Sequence, residues 1–400
     1  MRFSSAGGFA FMFVTAAAFA TATVAQTESV IHSFPSGNYP YARLSESATG
    51  ILYGTTYYGG NGYGDVFQLR QKRGVWSEHS IYAFNGGNDG QNPFASLTQD
   101  ASGNFYGTTR NGGDDGLGTA FSLTPAGRSW SESIIHTFSG GSDGDQPLAD
   151  LSFDTATGVF YGTTSSGKEK GACGTVFELS PSGGGWTETT LYSFQGGTDG
   201  CTPQTAVHKG TKEGNLIGST TDGGHAGDGT VFMLAERNGV WSESVLYSFS
   251  GGSDGAHPGD LDINSKDGSV FGVAAGGGAR GAGVVFELSQ VKRHWRQSVI
   301  HSFGLGIDGK EPVGIHLEES TGTLYGSTTY GGTNDYGSVF KLTPNGSSWT
   351  ESILHSFGTT TGDGLYPESR PIEDPTTGAL YGTTSEGGQY GGGAVWTISP

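Results

Sequence analysis

Apolar and aromatic residues alternate with Ser, Thr, Glu and Asn in short runs, and Gly, Asn, Asp or Pro interrupts every run. The stretches "NFYGTTR", "GTAFSLT" and "WSESIIHTF" follow one another in this way. Alternation with period two is strand spacing, and no 3.6-residue period appears, so the chain is predicted to be all β.

The pattern recurs along the chain. Tyr-Gly-Thr-Thr, or a relic of it, begins at Tyr53, Tyr106, Tyr161, Ile217, Phe271, Tyr325 and Tyr381, a period of 53 to 56 residues. Each is followed by the aromatic of a Gly-x-Val-Phe unit: Phe67, Phe121, Phe177, Phe232, Phe286, Phe340 and Trp396. Six of these aromatics precede a tryptophan by nine residues, and a phenylalanine closes the run eight residues beyond it. One repeat thus reads as four strands: "PFASLTQD" (A), "NFYGTTR" (B), "GTAFSLT" (C) and "WSESIIHTF" (D). Four-stranded antiparallel units of this length predict the blades of a seven-bladed β-propeller.

The seventh repeat stops after strand C. The missing strand is at the other end: "QTESVIHSF" begins at Gln26 and places Glu28 where Glu78, Glu132, Glu188, Glu243 and Glu351 sit in the other D strands. Pairing it with "AVWTIS" would close the ring and remove two open sheet edges. An open solenoid would instead need capping repeats, and none is visible.

Glycine makes up 73 of 400 residues and aromatics 12%, which fits a folded, turn-dense chain and not a disordered one. A net charge of -18 argues against a phosphate backbone as partner, so nucleic acid is not expected. Residues 1–25 carry Arg2, an apolar stretch shorter than a membrane span and small residues at Ala22 and Ala25, which reads as a secretory signal peptide. The rest, 26–400, is expected to be one exported, monomeric propeller without a transmembrane segment. Export favours a disulfide between Cys173 and Cys201.

Four strands return the chain to the face where it began, so the B–C and D–A loops share one face. Their lengths vary, whereas the C–D turn is constant, and variable loops on a rigid scaffold carry specificity. "GGSDG" around Ser142 matches G-x-S-x-G, but it recurs in strand crossovers with no following helix, so a nucleophile elbow is excluded. Gly276-x-Gly278-x-x-Gly281 fails the dinucleotide test for the same reason.

Asp89, Asp143, Asp199, Asp254, Asp308 and Asp363 each precede a glycine. Asp-Gly is a turn dipeptide. The alternative is that these loops bring the carboxylates near the axis, where they could hold calcium, the one cofactor considered. The histidines at 32, 136, 301 and 355 share a repeat position with Tyr82, Tyr192 and Tyr247 and read as packing residues.

Function is sought where the symmetry breaks. Tyr57, Tyr58, Tyr63, Arg110, Asp335, Tyr336 and Tyr390, on the B–C loops, are the candidate ligand-binding residues. Asp114, Asp115, Lys168, Glu169, Lys170 and Glu386 lie on the same loops. His225, Asp228 and Arg280 are the candidates for acid-base chemistry. No HExxH, zinc or phosphate-loop motif is present.

"IIHTFSGGSDGDQPLADLSFDTATGVFYGTT", with the following "GTVFEL", resembles the GloVer repeat of exported bacterial choice-of-anchor proteins across residues 28–400. The resemblance implies an extracytoplasmic propeller and carries over no catalytic residue. The departures are the decayed motifs at Ile217 and Phe271 and a repeat run that ends without a sorting tail. The expectation is a secreted propeller that binds an extracellular glycan or protein on its loop face. The alternative is a polysaccharide lyase or hydrolase acting at the same mouth.

Overall fold

The computed structural model describes residues 28–167, 171–211 and 214–399. Residues 1–25 and the trio Lys168, Glu169 and Lys170 lie outside them. Seven four-stranded antiparallel sheets are arranged as blades: residues 45–83, 98–137, 152–193, 208–248, 256–302 and 309–356 form blades 1 to 6. Blade 7 combines 372–398 with Glu28–Pro35, whose register pairs Glu28 with Ile398 and Val30 with Trp396. The ring is therefore closed by the two ends of the chain, as expected.

Each repeated motif has a mechanical reason. The glycine of Tyr-Gly-Thr-Thr lies under the strand C aromatic: a Cβ on Gly107 would stand 2.8 Å from Phe121 Cζ, and one on Gly54 would stand 2.5 Å from Phe67 Cζ. No other residue fits beneath that ring. The first threonine reaches the next blade, with Thr55 donating to the Ala95 carbonyl at 3.2 Å and Thr163 to the Thr205 carbonyl at 3.2 Å. The second pairs with the start of strand C, as Thr109 does with Thr119 at 2.8 Å.

The core is distributed over the seams between blades. The phenylalanine ending each D strand packs on the strand C aromatic of the next blade: Phe84 on Phe121, Phe138 on Phe177 and Phe249 on Phe286, each with centroids 5.1 Å apart. Phe34 on Phe67, at 4.9 Å, repeats the contact across the closure. Burial of one such ring contributes roughly 2 to 3 kcal/mol. The six strand D tryptophans lie partly buried beside these seams.

One expectation needs correction. Strand A reads as eight residues, yet in blades 1 and 2 only Ser45–Glu46 and Thr98–Gln99 pair with strand B. Three residues lie between Pro40 and Leu44 and between Pro93 and Leu97, whereas two lie between Pro258 and Leu261 and between Pro312 and Ile315. The extra residue lifts the chain off the ladder. In blades 5 and 6 a bulge absorbs the difference, and strand A runs Ala256–Ile263 and Gly309–Glu318. Among the described residues, no helix is long and apolar enough to cross a membrane.

Candidate functional site

The residue before the proline that opens strand A has positive φ in all seven blades: Tyr39, Asn92, Gln146, Thr202, His257, Glu311 and Tyr366, between 50° and 61°. A non-glycine residue held there costs on the order of 1 kcal/mol, and the residue before proline ordinarily prefers extended backbone. Hydrogen bonds to both sides impose the conformation. Asn92 N–H donates to the carbonyl of Tyr63 in the preceding blade's B–C loop at 2.7 Å, and the Asn92 carbonyl accepts from Arg110 N–H at 3.1 Å. Tyr366 is held likewise by Tyr336 and Ser385, both at 2.9 Å. The loops thus form a braced rim whose side chains differ from blade to blade.

Aromatic rings gather on one arc of that rim. Tyr41 stacks on Phe94 with centroids 5.3 Å apart and an interplanar angle of 26°, and Tyr57 meets Tyr41 edge-on at 5.5 Å. Tyr58 stands against Tyr57 at 4.6 Å and Tyr39 against Tyr58 at 6.2 Å, and half of the Tyr58 surface, 50%, is exposed. Arg110 contacts the Tyr57 hydroxyl at 3.4 Å and the Gln146 side chain at 3.1 Å. Around the ring, Tyr330 and Tyr336 both meet Tyr366 at 5.5 Å, and Asp335 pairs with Lys310 at 2.8 Å. Tyr390 is exposed in the B–C loop of blade 7, and Tyr63 lies over Gly86. The carboxylates of Glu368 and Glu386 join the two groups: burial and then Glu368 push the Tyr41 hydroxyl up to about 12.

Below the rim, residues from all seven blades line one axial cavity. At one repeat position stand Arg43, Ser96, Asp150, Ala206, Asp260, Gly314 and Arg370. Arg43 pairs with Asp150 at 3.2 Å, passing over blade 2, and Arg370 pairs with Asp260 at 3.4 Å, passing over blade 6. Gly314 leaves the room for this, since a Cβ there would lie 2.7 Å from that of Arg370. The two arginines are neighbours around the ring, and the two aspartates flank Ala206. The remaining accessible surface of Arg43 and Asp150, 29% and 28%, faces the cavity.

The electrostatics follow this arrangement. Burial and then the neighbouring Arg370 push the Arg43 guanidinium below its usual range. Burial raises Asp260, whereas Arg43 and the Ser96 amide outweigh burial at Asp150 and hold it low. Burial pushes His208 below its usual range. Burial and the carboxylates of Glu311 and Glu386 push Glu368, on the cavity wall, up to about 7.

The Asp-Gly aspartates lie elsewhere, at the outer seams. Asp199 accepts from the Tyr192 hydroxyl at 3.2 Å and from Gln195 N–H at 2.7 Å, and Asp254 accepts from Tyr247 at 3.0 Å. Asp89 is bonded to Tyr82, and Asp143 to His136 at 3.3 Å. Asp308 meets His301 and Glu351, and Asp363 meets His355 and Glu28, each trio with ligand-type atoms within 4.8 Å of one another. The histidine in these trios suits a borderline transition metal better than calcium, which prefers oxygen. At the other seams Tyr82, Tyr192 and Tyr247 hold the same position, so the shared role is to latch the loop onto strand D.

The remaining candidates are dispersed. His225 N–H donates to Ser248 at 2.8 Å, the Asp228 carbonyl accepts from His257 N–H at 2.8 Å, and the Arg280 side chain lies over Gly304. Among the described residues no hydrogen bond or ion pair joins the three. Cys173 and Cys201 are bonded to each other and tie the B–C loop of blade 3 to the loop entering blade 4.

The seven-bladed ring fits one repeat family. The sequence pattern described as the Gloeobacter/Verrucomicrobia repeat matches residues 6–151, 39–266, 118–313 and 258–400. The chain belongs to that family. No curated protein matches it. Among solved structures, this member of the Gloeobacter/Verrucomicrobia repeat family is similar to an ancestral GH74 enzyme at 14% identity and a TM-score of 0.61, over 94% of this chain and 51% of that one. It therefore spans about half of that protein. It is also similar to a candidate 6-phosphogluconolactonase from Bacteroides uniformis ATCC 8492, at 16% identity and a TM-score of 0.56 over 85% and 88% of the two chains. A protein from Lactobacillus plantarum gives 17% identity and 0.55 over 84% and 88%. At these identities the likeness is one of fold alone.

Proposed function

We propose that the protein is an exported, monomeric glycan-binding propeller whose ligand lies across the aromatic arc of the loop face. The observation that carries this reading is the cluster of Tyr39, Tyr41, Tyr57, Tyr58 and Phe94 at the mouth of the axial cavity. Aromatic faces stack on the apolar faces of sugar rings, and the hydroxyls at their edges satisfy the sugar's polar groups. Arg110, Asp335, Tyr336 and Tyr390 extend the same surface with polar contacts. The braced backbone lowers the ordering cost of binding. The bonded cysteine pair and the leader-like residues 1–25 support export. The enzyme alternative draws no support from His225, Asp228 and Arg280, which make separate contacts.

The test is retention of residues 26–400 on insoluble polysaccharides, with new reducing or unsaturated ends measured in parallel. Retention without new ends, reduced about tenfold in a Tyr57→Ala, Tyr58→Ala double variant, is expected. New ends would overturn the binding reading, and retention that ignores the tyrosines would move the site elsewhere.

A further inference from the structure

We propose that the axial cavity binds the carboxylate-bearing sugar of an acidic glycan, a hexuronate, with its carboxylate on Arg43 and Arg370. The proposal rests on the glycan reading above and names the class of sugar.

Two guanidinium groups side by side repel, and an anion between them relieves that repulsion. Arg43 and Arg370 occupy neighbouring places in the ring, and each finds its ion-pair partners away from the other: Arg43 with Asp150, and Arg370 with Asp260 and Asp262, with a further bond to the Ile315 carbonyl. Arg43 Nε, on the cavity wall, is buried and has no hydrogen-bond partner among the described residues. Buried donors are ordinarily satisfied, and those left over at a cavity point to a ligand. Guanidinium groups recognise carboxylates through paired, charge-assisted hydrogen bonds.

The opposite side of the cavity has the complementary chemistry. Asp150 and Asp260 are acceptors for sugar hydroxyls, and Ala206 between them leaves space. The stacked rings of Tyr41 and Phe94 form the wall above the arginines. A neutral sugar would use the wall and the aspartates but place no anion between the two neighbouring guanidinium groups and leave Arg43 Nε without an acceptor, so the ring discriminates by charge.

The experiment is calorimetric titration of residues 26–400 with galacturonate and glucuronate, and with galactose and glucose as their neutral counterparts. At least one uronate is expected to bind ten times or more tightly than its neutral partner. Arg370→Gln should remove that preference. Because this change could unfold the ring, Ala206→Leu, which fills the cavity and leaves every charge in place, should also weaken uronate binding about tenfold with an unchanged melting temperature. Equal binding of acidic and neutral sugars, or uronate binding indifferent to Ala206→Leu, would overturn the proposal. Polysaccharide retention without uronate binding would sink the axial site and leave the rim standing; uronate binding that survives Tyr58→Ala without retention of any polymer would do the reverse. Binding of free uronate but not of an acidic polymer would show that the cavity takes the monosaccharide and not a chain end.

Discussion

Thr383 donates its hydroxyl to the carbonyl oxygen of Ala42 at 2.9 Å, joining the last blade to the first. The same bond links Thr55 to Ala95 and Thr163 to Thr205 within the chain, so the closure is one more seam of the same kind.

Closure should therefore be as strong as any internal seam. Phe34 and Phe138 are both buried and meet the same partner type. Each change to alanine is expected to cost about 3 to 5 kcal/mol in urea unfolding. If Phe34→Ala cost less than about 1 kcal/mol, the ring would be open in solution.

Gly107→Ala should destabilise although alanine favours ordered backbone more than glycine does. The new methyl would stand 2.8 Å from the Phe121 ring, which is fully buried and has nowhere to go. A loss of about 1 to 3 kcal/mol is expected, with partial recovery when Phe121→Leu is added. Gly127→Ala is the control for crowding, because nothing lies within 4 Å of its would-be Cβ, although its φ of 70° carries its own cost.

The seam glutamates set a pH dependence. Burial, then the carboxylate of Asp89, pushes Glu132 up to about 7; burial, then Asp199, does the same at Glu243. Their folded values lie above the unfolded value of 4.5, so the folded state holds the extra protons between the two. That contribution is complete below about pH 4.5 and is lost as pH rises through about 7. A Glu132→Gln, Glu243→Gln variant should match the wild type at pH 4.5 and melt about 1 to 3 °C above it at pH 8. Melting curves that differ equally at both pH values would show these carboxyls ionising in the ordinary range.

Strand count, blade boundaries and closure were legible because each blade repeats the same steric problem and solves it with the same residues, as Gly107 under Phe121 shows. The axial ring was not. Its position recurs in every blade but holds Arg, Ser, Asp, Ala and Gly in turn, so it has no motif to find. The spacing from the strand A proline was the available signal. The aspartates were legible as turns, while their position at the outer seam depended on a partner, Tyr192 or His301, that is seven residues away in sequence for both Asp199 and Asp308. The rim was half legible: the B–C loop tyrosines stood out, but Tyr39, Tyr41 and Tyr366 lie on the D–A loops, where glycine and aspartate drew the eye.

The seven left-handed residues before proline make the rim interchangeable. Because main-chain hydrogen bonds brace all of Tyr39, Asn92, Gln146, Thr202, His257, Glu311 and Tyr366, with side-chain bonds added at Asn92, Gln146 and His257, replacing one of them changes what is displayed and keeps the main-chain frame that displays it. A lineage can exchange those seven letters one at a time and arrive at a new ligand without passing through an unfolded ancestor.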